Sequence, residues 1–364
     1  MSKASAKCDD RTEPLFGLIS SKNPVPALIV TVQSLFRGGC SGVIVVDDGS
    51  DDPEAKAVFD KAEKVGAQVI HLEKNIGKAK ALQAGFRAMP EGAVIVQVDD
   101  DTLAGDLSGP LRRIQSGQAD IVDIRVEVMK TRTLIGAMQE LAYWIINAAM
   151  KRLQDLLRAR TWMSGASVMY SYEAGKVIIM EEAFSMTEDT EGLFRARTRG
   201  LKVRFHSSYK DKFMTMVPED MRGVVKQWRR WTTGSGQIIG KYGLGGGNPR
   251  IATVNLFFWC YMLLPLYEGF QGIFSPVDTL LWLFGTGALF GVVGAIRLKR
   301  ARLVGAGVLL PVLQLVWIAV AFSGLWFAWR LHRKGGAKDM TWVSPKRTTT
   351  VEMTDQMPSV AVAE

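Results

Sequence analysis

A chain of 364 residues, 48% hydrophobic and with a formal net charge of +9, is long enough for one large domain and a smaller appendage. Cys8, Cys40 and Cys260 are scattered and odd in number, which excludes a disulfide framework and a cysteine zinc site. His71, His206 and His332 share no motif, so a histidine metal site and a Ser–His–Asp triad are excluded as well. Any metal must be held by carboxylates, which suit hard cations such as Mg²⁺ or Mn²⁺.

The N-terminal stretch "MSKASAKCDDRTEP" is polar and reads as neither secretory signal nor membrane anchor, so the following domain is expected on the cytoplasmic side. "PLFGLIS" (14–20) predicts a strand and "SKNP" a turn, and Pro24 and Pro26 open a helix over "ALIVTVQSLFRGG". "GVIVVDD" (42–48) is an apolar run of strand length that fits a buried parallel strand. An amphipathic helix follows over "DPEAKAVFDKAEKVG", then a strand over "AQVIHLE" and a helix over "NIGKAKALQAGFRAM" entered through a glycine. "GAVIVQVDDDT" (92–102) is a third apolar strand that ends in acids. This strand–helix alternation predicts an α/β fold on a parallel sheet. In such sheets ligands bind at the carboxyl ends of the strands, where both acidic clusters lie.

Residues 133–160 predict one long helix with an apolar stripe. It reads as a core helix or as one lying in a membrane interface, and Glu140 and its basic end argue against a full crossing. "WMSGASVMYS" (162–171) leads to a strand, and "TEDTEGLFRARTR" (187–199) predicts a helix capped by Thr187. "GVVKQWRRW" (223–231) predicts a basic aromatic helix, and "GLGGGNP" (243–249) a flexible connector.

Three stretches near the C-terminus, 251–273, 277–296 and 303–329, have the length and apolarity of membrane spans. Soluble core helices are the alternative reading. The domain boundaries are therefore expected at 1–242 for the catalytic part, 251–330 for about three membrane helices and 331–364 for a polar tail. The positive charge clusters beside the apolar stretches, which favours lipid headgroups over nucleic acid as partner. The loop "RLKRAR" (297–302) is basic and expected inside. Three spans would place the equally basic "RLHRKGGAK" (330–338) outside, against the same rule.

Four short motifs can carry chemistry, and each has a plain structural alternative. Asp99 and Asp101 in "VDDD" flank one residue and can aim at one cation that neutralises a diphosphate; a solvated turn is the plain reading. Asp47 and Asp48 in "VDDGS" can accept hydrogen bonds from a base or ribose, with Gly49 allowing a tight turn; a polar turn would look the same. Glu188 and Asp189 in "TED" lie at a helix start, where a carboxylate can act as general base; Thr187 capping needs no function. Gln227, Arg230 and Trp231 in "QWRRW" can clamp a diphosphate and platform a sugar, or serve as an interfacial anchor.

The order D-D-G-S, D-x-D, T-E-D and Q-x-x-R-W, followed by membrane helices, resembles the processive family 2 glycosyltransferases, which include cellulose, chitin, hyaluronan and poly-N-acetylglucosamine synthases. The resemblance covers about residues 14–240. "NIGKAKALQAGF" (75–86), "MSGASVMYSYEA" (163–174) and "MTWVSPKR" (340–347) look like further family segments. It implies a Rossmann-like GT-A fold and an inverting, β-forming transfer from a UDP-sugar to a growing polysaccharide, with Mg²⁺ or Mn²⁺. Asp47 and Asp48 would contact the uridine and Lys78 the nucleotide or its phosphates. Asp99 and Asp101 would serve diphosphate and metal. Gly165 would lie near the acceptor, and Asp189, beside Glu188, would be the base. Gln227, Arg230 and Trp231 would hold diphosphate and acceptor. The T-E-D form matches the cellulose and poly-N-acetylglucosamine types.

The implied location is the inner membrane, multi-pass, with the catalytic domain cytoplasmic. Larger members carry membrane helices ahead of that domain and this chain shows none there, so a channel would call for a homo-oligomer or a secretion partner. One alternative is a non-processive transferase that adds a single sugar to a lipid-linked acceptor. Another is a membrane-anchored dinucleotide oxidoreductase, against which stands the lack of G-x-G-x-x-G after the first strand. A third is a catalytically dead binding module or transporter, which four intact motifs oppose.

Overall fold

The computed structural model describes residues 13–257 and 275–333. Strands β1 (Leu15–Ser21), β2 (Gly42–Asp47), β3 (Gln68–His71) and β4 (Val94–Val98) alternate with helices α1 (Ala27–Gly38), α2 (Ala55–Lys64) and α3 (Lys78–Arg87). The short strand β5 (Thr102–Leu103) and helix α4 (Ser108–Gln115) follow, then β6 (Ile121–Ile124) and β7 (Val126–Val128). Next come α5 (Leu134–Ile145), α6 (Lys151–Leu156), β8 (Val168–Tyr170), α7 (Tyr172–Gly175), α8 (Glu188–Thr198), β9 (Val203–His206) and β10 (Phe213–Thr215). Three long helices close the described chain: α9 (Met221–Tyr242), α10 (Pro276–Leu298) and α11 (Leu303–Arg333).

The main sheet has the order β3-β2-β1-β4-β8-β6-β9. The β1, β2, β3 and β4 pairings are parallel, and β8 runs antiparallel to both β4 and β6. A smaller sheet, β5-β10-β7, flanks it. The period of two along each strand divides one apolar run between two core layers. Val43 and Val45 of β2 join Leu28, Val32 and Leu35 of α1 on one face. Ile44 and Val46 join Leu82 and Phe86 of α3 on the other. Continuous apolar strands are therefore what this sheet demands. The register pairs Ser21 with Asp47 and Ile19 with Val98, so the acids after β2 and β4 emerge on one edge.

The single helix expected over 133–160 is divided. α5 ends at Ile145, a π-helical turn spans Ile146–Met150, and α6 ends at Leu156. Asn147 explains the turn. Its buried Nδ2 donates to the carbonyls of Val126 and Tyr143, both at 2.8 Å, so the side chain ties the helix to β7 where the regular ladder widens.

Within the described residues α10 and α11 are long and apolar enough to cross a membrane, over Leu280–Leu298 and Leu303–Arg330. Most of the first stretch expected to cross, 258–273 of 251–273, and the segment 340–347 lie outside the described residues. The two helices meet at glycine: a Cβ on Gly307 would fall 2.4 Å from the Gly287 carbonyl oxygen. Glu140, read as a bar to membrane crossing, is buried in α5. It accepts from the Thr131 N–H at 2.8 Å and the Thr131 hydroxyl at 2.6 Å, and pairs with Arg300 and Arg302. The basic loop between α10 and α11 is thus bolted to α5. Glu140→Ala leaves two guanidinium groups facing an apolar helix and should cost about 1–3 kcal/mol. A thermal unfolding midpoint equal to that of the parent protein would show that the bolt contributes nothing.

Candidate active site

The carboxyl edge of the sheet is built first by Asp47 and Asp48. Asp47 Oδ1 accepts the Ser50 N–H at 2.9 Å and Oδ2 lies 2.9 Å from His71 Nδ1. Asp48 accepts the N–H groups of Ile76 at 2.8 Å and Gly77 at 3.0 Å, so it holds the entry to α3. Burial raises the Asp48 carboxyl above its ordinary range, against the pull of those two N–H groups and of Lys22. Gly49, at φ 61°, is required: a Cβ there would fall 2.2 Å from the Lys74 carbonyl carbon.

Within the acidic triplet, Asp100 turns into the fold. The Ser21 hydroxyl donates to its carboxylate, and the Thr31 hydroxyl donates to its carbonyl at 3.2 Å. Asp99 and Asp101 remain on the site's side, where both act on the Tyr143 hydroxyl of α5. Burial raises that phenol above its ordinary range, Asp101 and Asp99 raise it further, and Arg230 of α9 opposes them. The middle residue is structural, and the outer two both act on the Tyr143 hydroxyl.

Lys78, the first residue of α3, reaches across the edge. Its Nζ lies 2.7 Å from Asp99 Oδ1 and 3.3 Å from Glu188 Oε1. Burial works against its charge, but Asp99 and Glu188 outweigh it and hold the ammonium protonated well above the ordinary lysine range. Asp189 follows at the start of α8. Its Oδ1 accepts the Thr190 N–H at 2.6 Å, and its Oδ2 accepts the Gly165 N–H at 2.7 Å. Burial pushes its carboxyl up to about 6, Glu188 adds to the rise, and Lys78 and the two N–H groups restrain it. A cleft beside it is lined by Leu82, Gln97, Met163, Ile178 and Glu188.

Thr187 does not cap α8 as expected. Its hydroxyl makes no cap bond and, among the described residues, is buried without a hydrogen-bond partner. The reason is α9, which packs onto it: a Cβ on Gly234 would fall 2.4 Å from Thr187 Oγ1. Gln237 of α9 also accepts the Met186 N–H at 2.9 Å, so α9 holds the loop that presents Glu188 and Asp189. On the same helix, Gln227 Oε1 is buried without a partner among the described residues. Trp231 packs with Trp228, Leu313 and Val320, so it touches the C-terminal helices.

Sequence reasoning missed two residues. Gln97, buried in β4, donates to the Gly165 carbonyl at 3.2 Å and accepts from the Tyr170 hydroxyl at 3.0 Å, so it positions the loop that binds Asp189. One amide in the run "AVIVQV" was its signal. Tyr143 gave no signal, because it lies among the apolar residues of α5. Among the described residues no three His, Cys, Asp or Glu side chains gather as a metal site. Asp99 and Asp101 both lie near Tyr143, and Asp99 is paired with Lys78.

Residues 26–234 match the family model described as "Glycosyltransferase like family 2". The chain belongs to this glycosyltransferase family. It is 24% identical over 201 residues to a poly-beta-1,6-N-acetyl-D-glucosamine synthase of Staphylococcus aureus, covering 54% of this chain and 48% of that one. It is 24% identical over 246 residues to the protein of the same name from Staphylococcus epidermidis, covering 66% and 55%. The matched region spans about half the length of these relatives. In fold it is similar to a mannosyltransferase of Pyrobaculum calidifontis, solved with GDP-mannose and Mn²⁺. That match has a TM-score of 0.55 and 14% identity, and covers 86% of this chain and 88% of that one. The α/β GT-A fold expected from the motifs is the one present.

Gly49→Ala should place a methyl group against backbone and force a positive φ, at a cost of about 2 kcal/mol or more. A variant that melts with the parent would mean that the 47–50 turn can relax, and would remove the strict need for glycine there.

Proposed function

We propose that this glycosyltransferase is a membrane-bound, inverting enzyme that builds a β-linked polysaccharide from a UDP-sugar. The observation that carries the reading is the set of groups around one cleft. A carboxylate raised to about 6 and held by two backbone N–H groups faces a lysine that bridges a D-x-D acid and the neighbouring glutamate. A base beside a cationic, diphosphate-binding pole is what sugar transfer needs.

In this mechanism Asp189 accepts the proton of the acceptor hydroxyl as its oxygen attacks the anomeric carbon. The bond from that carbon to the diphosphate oxygen breaks, and its electron pair leaves with UDP. The Gly165 and Thr190 N–H groups fix Asp189 so that it meets the hydroxyl in one orientation. Lys78 and Arg230 would meet the negative charge that grows on the diphosphate, and Gln227, whose buried amide oxygen has no partner among the described residues, would accept a hydrogen bond from the substrate. Asp47 and Asp48 take the nucleoside at the strand ends, and Trp231 the acceptor. Asp99 and Asp101 would hold Mg²⁺ or Mn²⁺, which supplies neutralisation of the leaving diphosphate.

The polymer product is supported by the names of the relatives, the UDP-sugar donor by the four ordered motifs, and the membrane location by the two apolar helices. UDP release from purified protein given UDP-glucose, UDP-N-acetylglucosamine or UDP-glucuronate, with products sized, tests the proposal. A long polymer is expected. A single-sugar product would place the enzyme with the non-processive transferases, and no release from any donor would count against the UDP reading.

Asp189→Asn should keep donor binding and lose transfer by several orders of magnitude; wild-type turnover in that variant would remove the base assignment. The base works ionised, so kcat/KM should fall as pH drops through about 6. A flat profile between pH 5 and 7 would contradict it. Asp101→Ala should weaken nucleotide binding only when divalent metal is present, as read by titration with and without chelator.

A further inference from the structure

α11 has the composition of a membrane-spanning helix, but its contacts hold it along the soluble domain. At its start, Arg302 donates to the Thr131 carbonyl and pairs with buried Glu140, and Leu303 and Ala306 pack with Leu141 and Trp144 of α5. At its far end, Gly324 lies against Thr232, and Gly236 of α9 lies against Ala328. Between these points the Thr232 hydroxyl reaches the Val320 carbonyl at 3.5 Å. α9 in turn touches the catalytic domain at several points. Val224 near its start shares an apolar cluster with Ala137 and Leu141 of α5, Gly234 lies against Thr187, and Ile238 near its end shares a cluster with Ala159 and Phe194.

From Arg302 to Ala328 is 26 residues, about 39 Å of helix. The hydrocarbon core of a bilayer is about 30 Å thick. A helix that crossed it could not touch the same water-soluble domain at both ends. The α9 that flanks its second half also carries Arg222, Lys226 and Arg229, exposed at helical spacing, and such residues do not enter hydrocarbon. On the outward face of α11, Val308, Val312, Leu315, Phe322, Trp326 and Trp329 form one stripe at three-, four- and seven-residue spacing, each between 39% and 56% exposed. The opposite face is buried on α5, α9 and α10. The helix is thus apolar all round for two different reasons, protein on one side and the stripe on the other.

We propose that α11 does not cross the bilayer but lies lengthwise in the interface of one leaflet, its stripe against acyl chains and both ends on the side of the catalytic domain. The two exposed tryptophans at its end, with Arg330 beside Trp326, fit the headgroup level. Both basic segments, 297–302 and the one that begins at Arg330, then share a side. The inference rests on the membrane attachment proposed above and is independent of the sugar chemistry.

Added cysteines test it, in a chain with Cys8 and Cys260 replaced by serine and only the buried Cys40 kept as background. Ala301→Cys and Arg330→Cys mark the two ends, and Glu63→Cys on exposed α2 marks the catalytic domain. With a membrane-impermeant maleimide, all three are expected to react in inverted vesicles and none in right-side-out vesicles. Labelling of positions 301 and 330 from opposite sides would overturn the proposal. Nitroxides at Val312→Cys and Phe322→Cys should report equal, shallow depths. A depth near the bilayer centre at either position, or shielding from both lipid and water that indicates a second copy over the stripe, would also overturn it. Recovery of the intact chain in the soluble fraction would instead remove the membrane attachment on which the inference rests. UDP release by the same preparations reads the chemistry separately.

Discussion

Four carboxylates, those of Asp99, Asp101, Glu188 and Asp189, crowd one edge of the sheet, and the ammonium of Lys78 is the constraint that makes this edge tenable. Like charges brought together out of water repel strongly enough to drive protonation. Lys78 bridges two of the four directly and restrains the rise of a third. Its own position is locally unfavourable, since a cation at the first residue of a helix opposes the dipole. Asp48 offsets this by placing a carboxylate on the N–H groups of Ile76 and Gly77 at the same helix start. The nucleotide motif and the lysine motif therefore depend on each other through one helix terminus.

The edge itself was legible in the sequence because it follows from period and punctuation. Apolar runs of strand length, helices between them and acids at the run ends give a parallel sheet with carboxylates at its carboxyl edge. What was not legible depends on contacts between distant segments. Gln97 looks like one polar interruption until β8 and the 163–167 loop close over it. Thr187 looks like a cap until Gly234, far along the chain, packs against its hydroxyl. The break in the 133–160 helix follows from Asn147 reaching β7, which no local pattern announces.

Hydropathy is incomplete for a related reason. It counts apolar residues without asking what covers them. The face of α11 that meets α5 and α9 is apolar because it is an internal packing surface, as in any core. Composition adds the two faces together, whereas the contacts separate them. Glu140 shows the same point from the other side. Read as an obstacle to burial in lipid, it is buried in protein, where two arginines from the basic loop answer its charge.

α9 is where these separate constraints meet. Gly234 and Gln237 hold the loop that presents Asp189, and Arg230 acts on the same Tyr143 hydroxyl as the D-x-D acids. Thr232, Gly236 and Trp228 on its remaining surface carry α11. The glycines are spaced so that one permits close approach to the base loop and the next permits close approach to the outer helix. A rigid helix cannot shift against α11 without moving the Thr187 loop, because both contacts are at van der Waals distance and leave no slack. The position of Asp189 is thereby tied, through α9, to the helix that carries the exposed apolar stripe.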